Sequence, residues 1–156
     1  MVISEIRWSN FSRWLLALGL GAELVVVLVA VGRSPGGAKV LPLVIAGFAL
    51  VFLLLRLVQT VRVAVEGMEL TVGFPIFRRR IPLHSIDEVT PVHYRWYQWG
   101  GWGIRYRRGA VLYNVPGDRG RAVELKLKDG KKVLFSAEDP DQVCVAIRAQ
   151  RAAMPY

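Results

Sequence analysis

The chain contains a single cysteine and two histidines in 156 residues. One thiol, Cys144, excludes a disulfide within the chain and a zinc site built from cysteines. His84 and His93 are nine positions apart, and the adjacent acids Asp87 and Glu88 would point to opposite sides of a strand. Because no set of acid, base and nucleophile emerges, the sequence predicts no catalytic residue and no metal site.

Phosphate-cradling glycine loops are also missing. Gly100, Gly101 and Gly103 lie among aromatic residues and do not lead into a helix, as a nucleotide-binding loop requires. We therefore expect no cofactor.

Acidic residues are scarce, with 12 Asp and Glu against 21 Lys and Arg. The part of the chain after Val58 holds 16 of the basic residues and 10 of the acidic ones. This excess favours a partner surface rich in anions, such as lipid headgroups, nucleic acid or an acidic protein. A domain that merely faces an anionic leaflet would show the same bias.

Two long apolar runs are the strongest signal in the sequence. They cover Trp14–Gly32 and Val40–Val58, and each would span about 28 Å as a helix, close to the thickness of a bilayer core. Only the turn-forming segment RSPGGAK separates them, so a transmembrane hairpin is predicted. For the first run a cleaved signal peptide is the alternative, but the run is longer than such peptides and a second run follows at once.

The ends of the two runs differ in positive charge. The terminal side carries Arg7, Arg13, Arg56 and Arg62, and the hairpin loop carries Arg33 and Lys39. Under the positive-inside rule we expect a two-pass cell-membrane protein with both termini in the cytoplasm. The predicted division is an interfacial segment over 1–13 (with Trp8, Phe11 and Trp14), the hairpin over 14–58 and a polar domain over 59–156.

Glu23 lies near the middle of the first apolar run. A carboxylate at that depth costs on the order of 3 kcal/mol on insertion scales. It is a candidate intramembrane contact with a partner helix. A proton or ion relay, or an acid facing the second helix of the hairpin, is the other interpretation.

After Val58 the apolar period changes from helical to alternating. Six or seven antiparallel strands are predicted, with a hairpin turn at Asp129-Gly130. A final amphipathic helix begins at Asp139-Pro140, with Asp139 as its N-cap and Gln142 three positions later. It carries an inward stripe of Val143, Ala146, Ile147 and Met154. The fold class is thus a membrane helical hairpin followed by a curved antiparallel sheet or small barrel with a C-terminal helix.

Two stretches resemble the bacterial pleckstrin-homology-like (bPH) domain proteins. RRRIPLHSIDEV is similar to the family's basic strand followed by spaced apolar residues, here Ile81, Leu83, Ile86 and Val89. The stretch from GGWGIRYRRG to VELKLKDGKK resembles a second family segment. The resemblance covers about 59–153 and implies a fold and a membrane setting. It implies no reaction, and no inositol-phosphate motif of eukaryotic relatives matches.

Aromatic and basic residues between Arg78 and Arg108 form the candidate contact surface for a lipid headgroup or a partner. The candidates are Trp96, Trp99, Trp102, Arg78, Arg80, Arg105 and Arg107. Such residues suit a membrane boundary, a protein contact or single-stranded nucleic acid, and the membrane tether argues against the last. Alternatively the rings fill the open end of a barrel and the arginines keep the sheet soluble.

The leading hypothesis is a non-enzymatic module at the inner leaflet that binds anionic lipid headgroups or a partner protein. The alternative is an accessory subunit of a membrane transport or envelope-maintenance complex, with Glu23 as the intramembrane contact. An enzyme acting on a lipid or envelope substrate is a third hypothesis.

Overall fold

The structure, a computed structural model, describes residues 2–57 and 59–153. The chain forms two compact units. One is Ser9–Leu57, and the other combines the described residues of Met1–Trp8 and Val58–Tyr156. Val58 and Met154, which the sequence analysis assigned to an apolar run and to the helix stripe, lie outside the described residues.

The first unit is the predicted hairpin of helices, α1 (Asn10–Gly32) and α2 (Gly37–Leu57). Ser9 caps α1, since its Oγ accepts the backbone N–H of Ser12 at 3.1 Å. At the start of α2 a Cβ on Gly37 would lie 1.8 Å from the Val31 carbonyl oxygen, so only glycine permits this tight return. Both helices are long and apolar enough to cross a membrane.

The second unit begins with a four-stranded antiparallel sheet, sheet A. Its strands are β1 (Val2–Arg7), β2 (Thr60–Glu66), β3 (Glu69–Gly73) and β4 (Arg78–Pro82), in that spatial order. β1 and β2 are neighbours in the sheet although the whole helical hairpin separates them in sequence. The hairpin thus occupies the place of the turn between two paired strands.

Residues 2–7 differ from the prediction of an interfacial segment over 1–13. They form β1, in which Ile6 is only 9% exposed, and Trp8 packs against the same core. A bulge between Val2 and Ser4 breaks the alternation of β1, so its sequence does not look like a strand. Phe11 and Trp14 are exposed on α1.

Sheet B contains five strands. They are β5 (Ile86–His93), β6 (Gly103–Arg107), β7 (Ala110–Asn114), β8 (Arg121–Leu127) and β9 (Lys132–Ser136). The spatial order is β5–β8–β9–β7–β6, and β7 runs parallel to β9. The expectation of an entirely antiparallel domain is therefore wrong for this pair, because β9 lies beside β7 after the β8–β9 hairpin. The described residues contain nine strands, more than predicted.

The core lies between the two sheets and the final helix, α3 (Pro140–Ala152). The predicted cap is confirmed, since the Gln142 N–H donates to Asp139 Oδ1 at 3.0 Å. Val143 and Ile147 are buried as expected. A link that the sequence analysis did not predict ties α3 to β5, where Arg148 Nη2 donates to the Val89 carbonyl at 2.5 Å.

Candidate functional site

The aromatic segment, residues 94–102, connects β5 to β6. A single 3₁₀ turn over Trp96–Trp99 ends at Gly100, whose φ of 77° reverses the chain. The reversal stacks Trp96 on Trp102 with 4.4 Å between ring centroids and 20° between planes. Tyr97 meets Trp96 edge-on at 5.9 Å. Two of the predicted contact residues, Trp96 and Trp102, are therefore one structural unit.

These rings lie on the surface of the domain. Trp96 is 44% exposed, Tyr97 57% and Trp102 40%. They are not used to fill the interior between the sheets, which was one of the two expectations from the sequence. Exposed indoles and phenols with a buried anchor suit contact with a partly apolar surface.

Two arginines of β6 contact the aromatic segment. The Arg107 guanidinium carbon lies 5.4 Å from the centroid of the Trp99 ring, a cation–π contact. A Cβ on Gly101 would lie 3.0 Å from Arg105 Nη2, so the Arg105 side chain passes directly beneath this backbone. Arg105 Nε is buried and has no acceptor among the described residues. Arg105 and Arg107 thus share a face of β6, and both contact the aromatic segment.

Arg78 and Arg80 lie on a different sheet. β4 is an edge strand of sheet A, and both side chains are exposed there. Neither forms a hydrogen bond or an ion pair with any described residue. The four predicted arginines are therefore divided between two strands: those on β4 are exposed and unpaired, and those on β6 contact the aromatic segment.

A buried carboxylate anchors the aromatic segment at its start. Asp118, 4% exposed, accepts hydrogen bonds from the Tyr94 and Ser136 hydroxyls at Oδ2 and from the Gly120 N–H at Oδ1. Burial, then the hydrogen bond with Asp118, raises the pKa of Tyr94 above its ordinary range. This cluster was missed in the sequence, although the glycines on either side of Asp118-Arg119 were a sign of a tightly folded loop.

The loop of residues 115–120 presses against the segment. A Cβ on Gly120 would lie 2.4 Å from the Tyr94 carbonyl oxygen. Arg119 has a φ of 56°, which costs a residue with a side chain about 1–2 kcal/mol. Arg119 is exposed and has no hydrogen-bonding or ion-pair partner in the described chain. A charged residue is thus held in a strained conformation where glycine would be relaxed.

A concavity of about 430 Å³ opens between the segment and this loop. One wall is formed by residues 94–97 and Trp102, and the other by residues 117–120. The walls present stacked indoles, two arginines and the edge of the buried carboxylate. We call this the aromatic pocket.

The remaining candidate residues lie apart from the pocket. Glu23 is exposed on α1, and its carboxylate has no hydrogen-bonding or ion-pair partner among the described residues. His84 and His93 are exposed. Cys144 is buried in the core of the sheet-containing unit, and this burial raises the pKa of its thiol.

Residues 3–101 match a family described as "Protein of unknown function (DUF3093)". The chain belongs to this family. The DUF3093 match begins within β1, spans both helices and ends in the aromatic segment. The family model therefore includes β1 together with the hairpin of helices. Searches of the curated proteins and of the solved structures found no match.

Proposed function

We propose that this DUF3093 protein is a membrane-anchored, non-enzymatic binding module that contacts anionic lipid headgroups at the inner leaflet. The observation that carries the proposal is the group of unpartnered arginines and exposed indoles on one domain joined to two apolar helices. Basic side chains near an anionic leaflet contribute about 1 kcal/mol each, and interfacial indoles add to this.

Short connections support the membrane setting. Only Trp8 and Ser9 separate β1 from α1, and β2 begins three positions after α2 ends. The pairing of β1 with β2 supports two crossings, because the segments before and after the hairpin share one sheet. The arginine excess at the terminal side favours the cytoplasm for that sheet.

Vesicle binding by a soluble variant tests the proposal. In this joined variant, residues 2–8 are linked by a short glycine–serine turn to residues 59–156. We expect co-sedimentation with phosphatidylglycerol vesicles but little with phosphatidylcholine, and weaker binding as salt rises. Arg78→Gln with Arg80→Gln should lower binding at least several-fold.

An equal loss of charge elsewhere is the control. Two exposed lysines of the β8–β9 turn region, Lys128 and Lys131, serve when both are changed to Gln. Indifference of the joined variant to anionic vesicles at low salt would exclude the lipid function and leave a protein partner as the ligand.

Glu23 supports a second candidate function, an accessory subunit of a membrane transport or envelope-maintenance complex. Its carboxylate is exposed on the hairpin, and a partner helix with a donor at that depth would relieve its desolvation. Stoichiometric co-purification of another membrane protein in mild detergent would favour this function.

The finer relationship to the bPH proteins is also a proposal. Two packed sheets followed by a terminal helix support it, and the parallel β7–β9 pair departs from the antiparallel arrangement that the resemblance implies. An experimental structure of the joined variant, compared with bPH domains, tests it. The non-enzymatic part of the proposal is supported by the exposed, separated histidines and the buried thiol.

A further inference from the structure

The aromatic pocket has the dimensions of a small-ligand site. Its volume of about 430 Å³ falls within the range of small-molecule sites, and it is an open cleft that would cover a ligand on one side. Both walls are held in place: Tyr94 by its bond to Asp118, and the facing loop by the Gly120 N–H bond to the same carboxylate. Asp118 therefore joins the start of the aromatic segment to the facing loop at one end of the pocket.

The two arginines of the pocket form no ion pair with a described residue, although the carboxylate of Asp118 also lines the pocket. Arg95 donates from Nη1 to the Tyr97 hydroxyl at 3.2 Å, which is a neutral partner. Arg119 has no hydrogen-bonding or ion-pair partner there. The nearby carboxylate, Asp118, is already bound by three donors. Arg95 of the aromatic segment and Arg119 of the facing loop both line the pocket and are thus available to an anion.

The origin of these arginines, one from each of the two segments that line the pocket, favours a phosphate. A carboxylate presents two coplanar oxygens to one guanidinium, whereas the tetrahedral oxygens of a phosphate diverge and reach donors on separate walls. The Trp96–Trp102 stack beside them offers an apolar surface for the group that carries the phosphate.

We propose that the aromatic pocket binds the phosphate-bearing headgroup of an anionic phospholipid. The phosphate lies between Arg95 and Arg119, and the glycerol carbons lie against Trp96 and Trp102. This inference rests on the proposed membrane function and names the ligand class of one site within it. The site is distinct from the arginines of β4.

Fluorine NMR of the full chain tests the site. The protein has five tryptophans, so 5-fluorotryptophan labelling in a neutral detergent gives five resonances that Trp→Phe variants assign. Glycerophosphoglycerol, the soluble headgroup of phosphatidylglycerol, is the probe. The resonances of Trp96 and Trp102 should shift saturably, and those of Trp8 and Trp14 should stay in place.

Matched arginine variants establish where the probe binds. Arg119→Gln should raise the Kd at least tenfold. Arg108→Gln removes another exposed charge, in the β6–β7 turn outside the pocket, and should change the Kd less than twofold. An unshifted Trp99 resonance in each variant shows that the segment has kept its fold. A lack of saturable shifts, or equal effects of the two variants, overturns the proposal.

Further probes distinguish a phospholipid in a bilayer from a soluble phosphate ester as the ligand. Nanodiscs containing phosphatidylglycerol should shift the same two resonances, and phosphatidylcholine nanodiscs should not. Shifts with the soluble headgroup but not with phosphatidylglycerol nanodiscs would overturn the lipid source and indicate a soluble phosphate ester. Inorganic phosphate alone should bind more weakly; equal affinity would overturn the role of the indoles.

The failure of this inference is distinguishable from failure of the membrane function. If the joined variant binds anionic vesicles through Arg78 and Arg80 while the pocket resonances ignore the headgroup, only the pocket assignment fails. If the headgroup binds the pocket and the joined variant ignores vesicles, the membrane function fails.

Discussion

The backbone N–H of Trp8 donates a hydrogen bond to the carbonyl of Gln59 at 3.0 Å, although residues 9–58 lie between them. The two residues continue the β1–β2 ladder, which runs as far as Arg7 and Thr60. The sheet-containing unit is thus complete only when the chain on both sides of the helices is present.

This contact predicts that a stable soluble domain must include β1. A fragment of residues 59–156 lacks β1 and leaves the pocket of Ile6 empty, and loss of a buried Ile side chain alone costs about 2–5 kcal/mol. The joined variant should unfold cooperatively at a clearly higher urea concentration than the fragment. Equal midpoints would show that β1 contributes nothing to the domain.

Tyr94→Phe should change the pH dependence of stability. At neutral pH it removes the hydrogen bond to Asp118 and should cost about 1–3 kcal/mol. The folded-state pKa of Tyr94 is raised, so above about pH 10 the unfolded chain loses this proton first and stability falls as pH rises. Urea titrations of the joined variant from pH 7 to 11 measure this slope.

The Phe variant should show a shallower alkaline decline than the wild type. A remainder is expected, because burial also raises the pKa values of Tyr113 and Cys144. Parallel slopes for wild type and Tyr94→Phe would contradict the assignment.

Arg119→Asn should not destabilise the domain. Asparagine tolerates left-handed backbone better than arginine, so the variant should be as stable as the wild type or more stable by up to about 1 kcal/mol. Arg108→Asn, placed in an ordinary turn, is the comparison. A large loss of stability at Arg119 would mean that its side chain serves the fold.

Two glycines with similar backbone angles should differ in their tolerance of alanine. At Gly130 a Cβ meets nothing within 4 Å, so strain from its φ of 80° should cost about 1–2 kcal/mol. At Gly120 the added Cβ also meets the Tyr94 carbonyl, and the cost should be larger by at least about 1 kcal/mol. Thermal unfolding of Gly120→Ala and Gly130→Ala, each made in the joined variant, compares the two costs directly.

Glu23 variants test the subunit function. Glu23→Gln keeps shape and hydrogen bonding and should preserve any partner complex, whereas Glu23→Leu should weaken it by about 1–2 kcal/mol. Co-purification yields from mild detergent provide the measurement. Leu16→Ala, a matched change elsewhere on α1, controls for general effects on the helix. Full retention of a partner by Glu23→Leu would remove this residue from the interface.

Local signals predicted much of the fold. The hairpin of helices followed from apolar runs, the β8–β9 turn from Asp129-Gly130 and the cap of α3 from Asp139. Each of these features depends on residues within a few positions of one another. Hydrophobic periodicity, turn conformation and helix capping are determined over such short distances and can be read from the sequence.

Contacts between distant segments were not predictable in the same way. β1 has a bulge and finds its partner only across the hairpin, and the parallel pairing of β7 with β9 depends on where the β8–β9 hairpin docks. Within the site, the aromatic and basic residues were found from composition. The hydrogen bonds of Tyr94 and Ser136 to Asp118 could not be predicted, because the three residues lie in separate segments of the chain. No periodic pattern in the sequence relates such distant positions.

The position of β1 ahead of the hairpin also orders events during synthesis. β1 leaves the ribosome first and cannot pair until both helices have been made, since β2 follows α2. In a chain whose hairpin inserts with a single crossing, β1 and β2 would be stranded on opposite sides of the bilayer. Sheet A would then stay open, with an unpaired edge accessible to proteases. Under the proposed two-crossing topology, closure of this sheet would therefore distinguish molecules inserted with two crossings from those inserted with one.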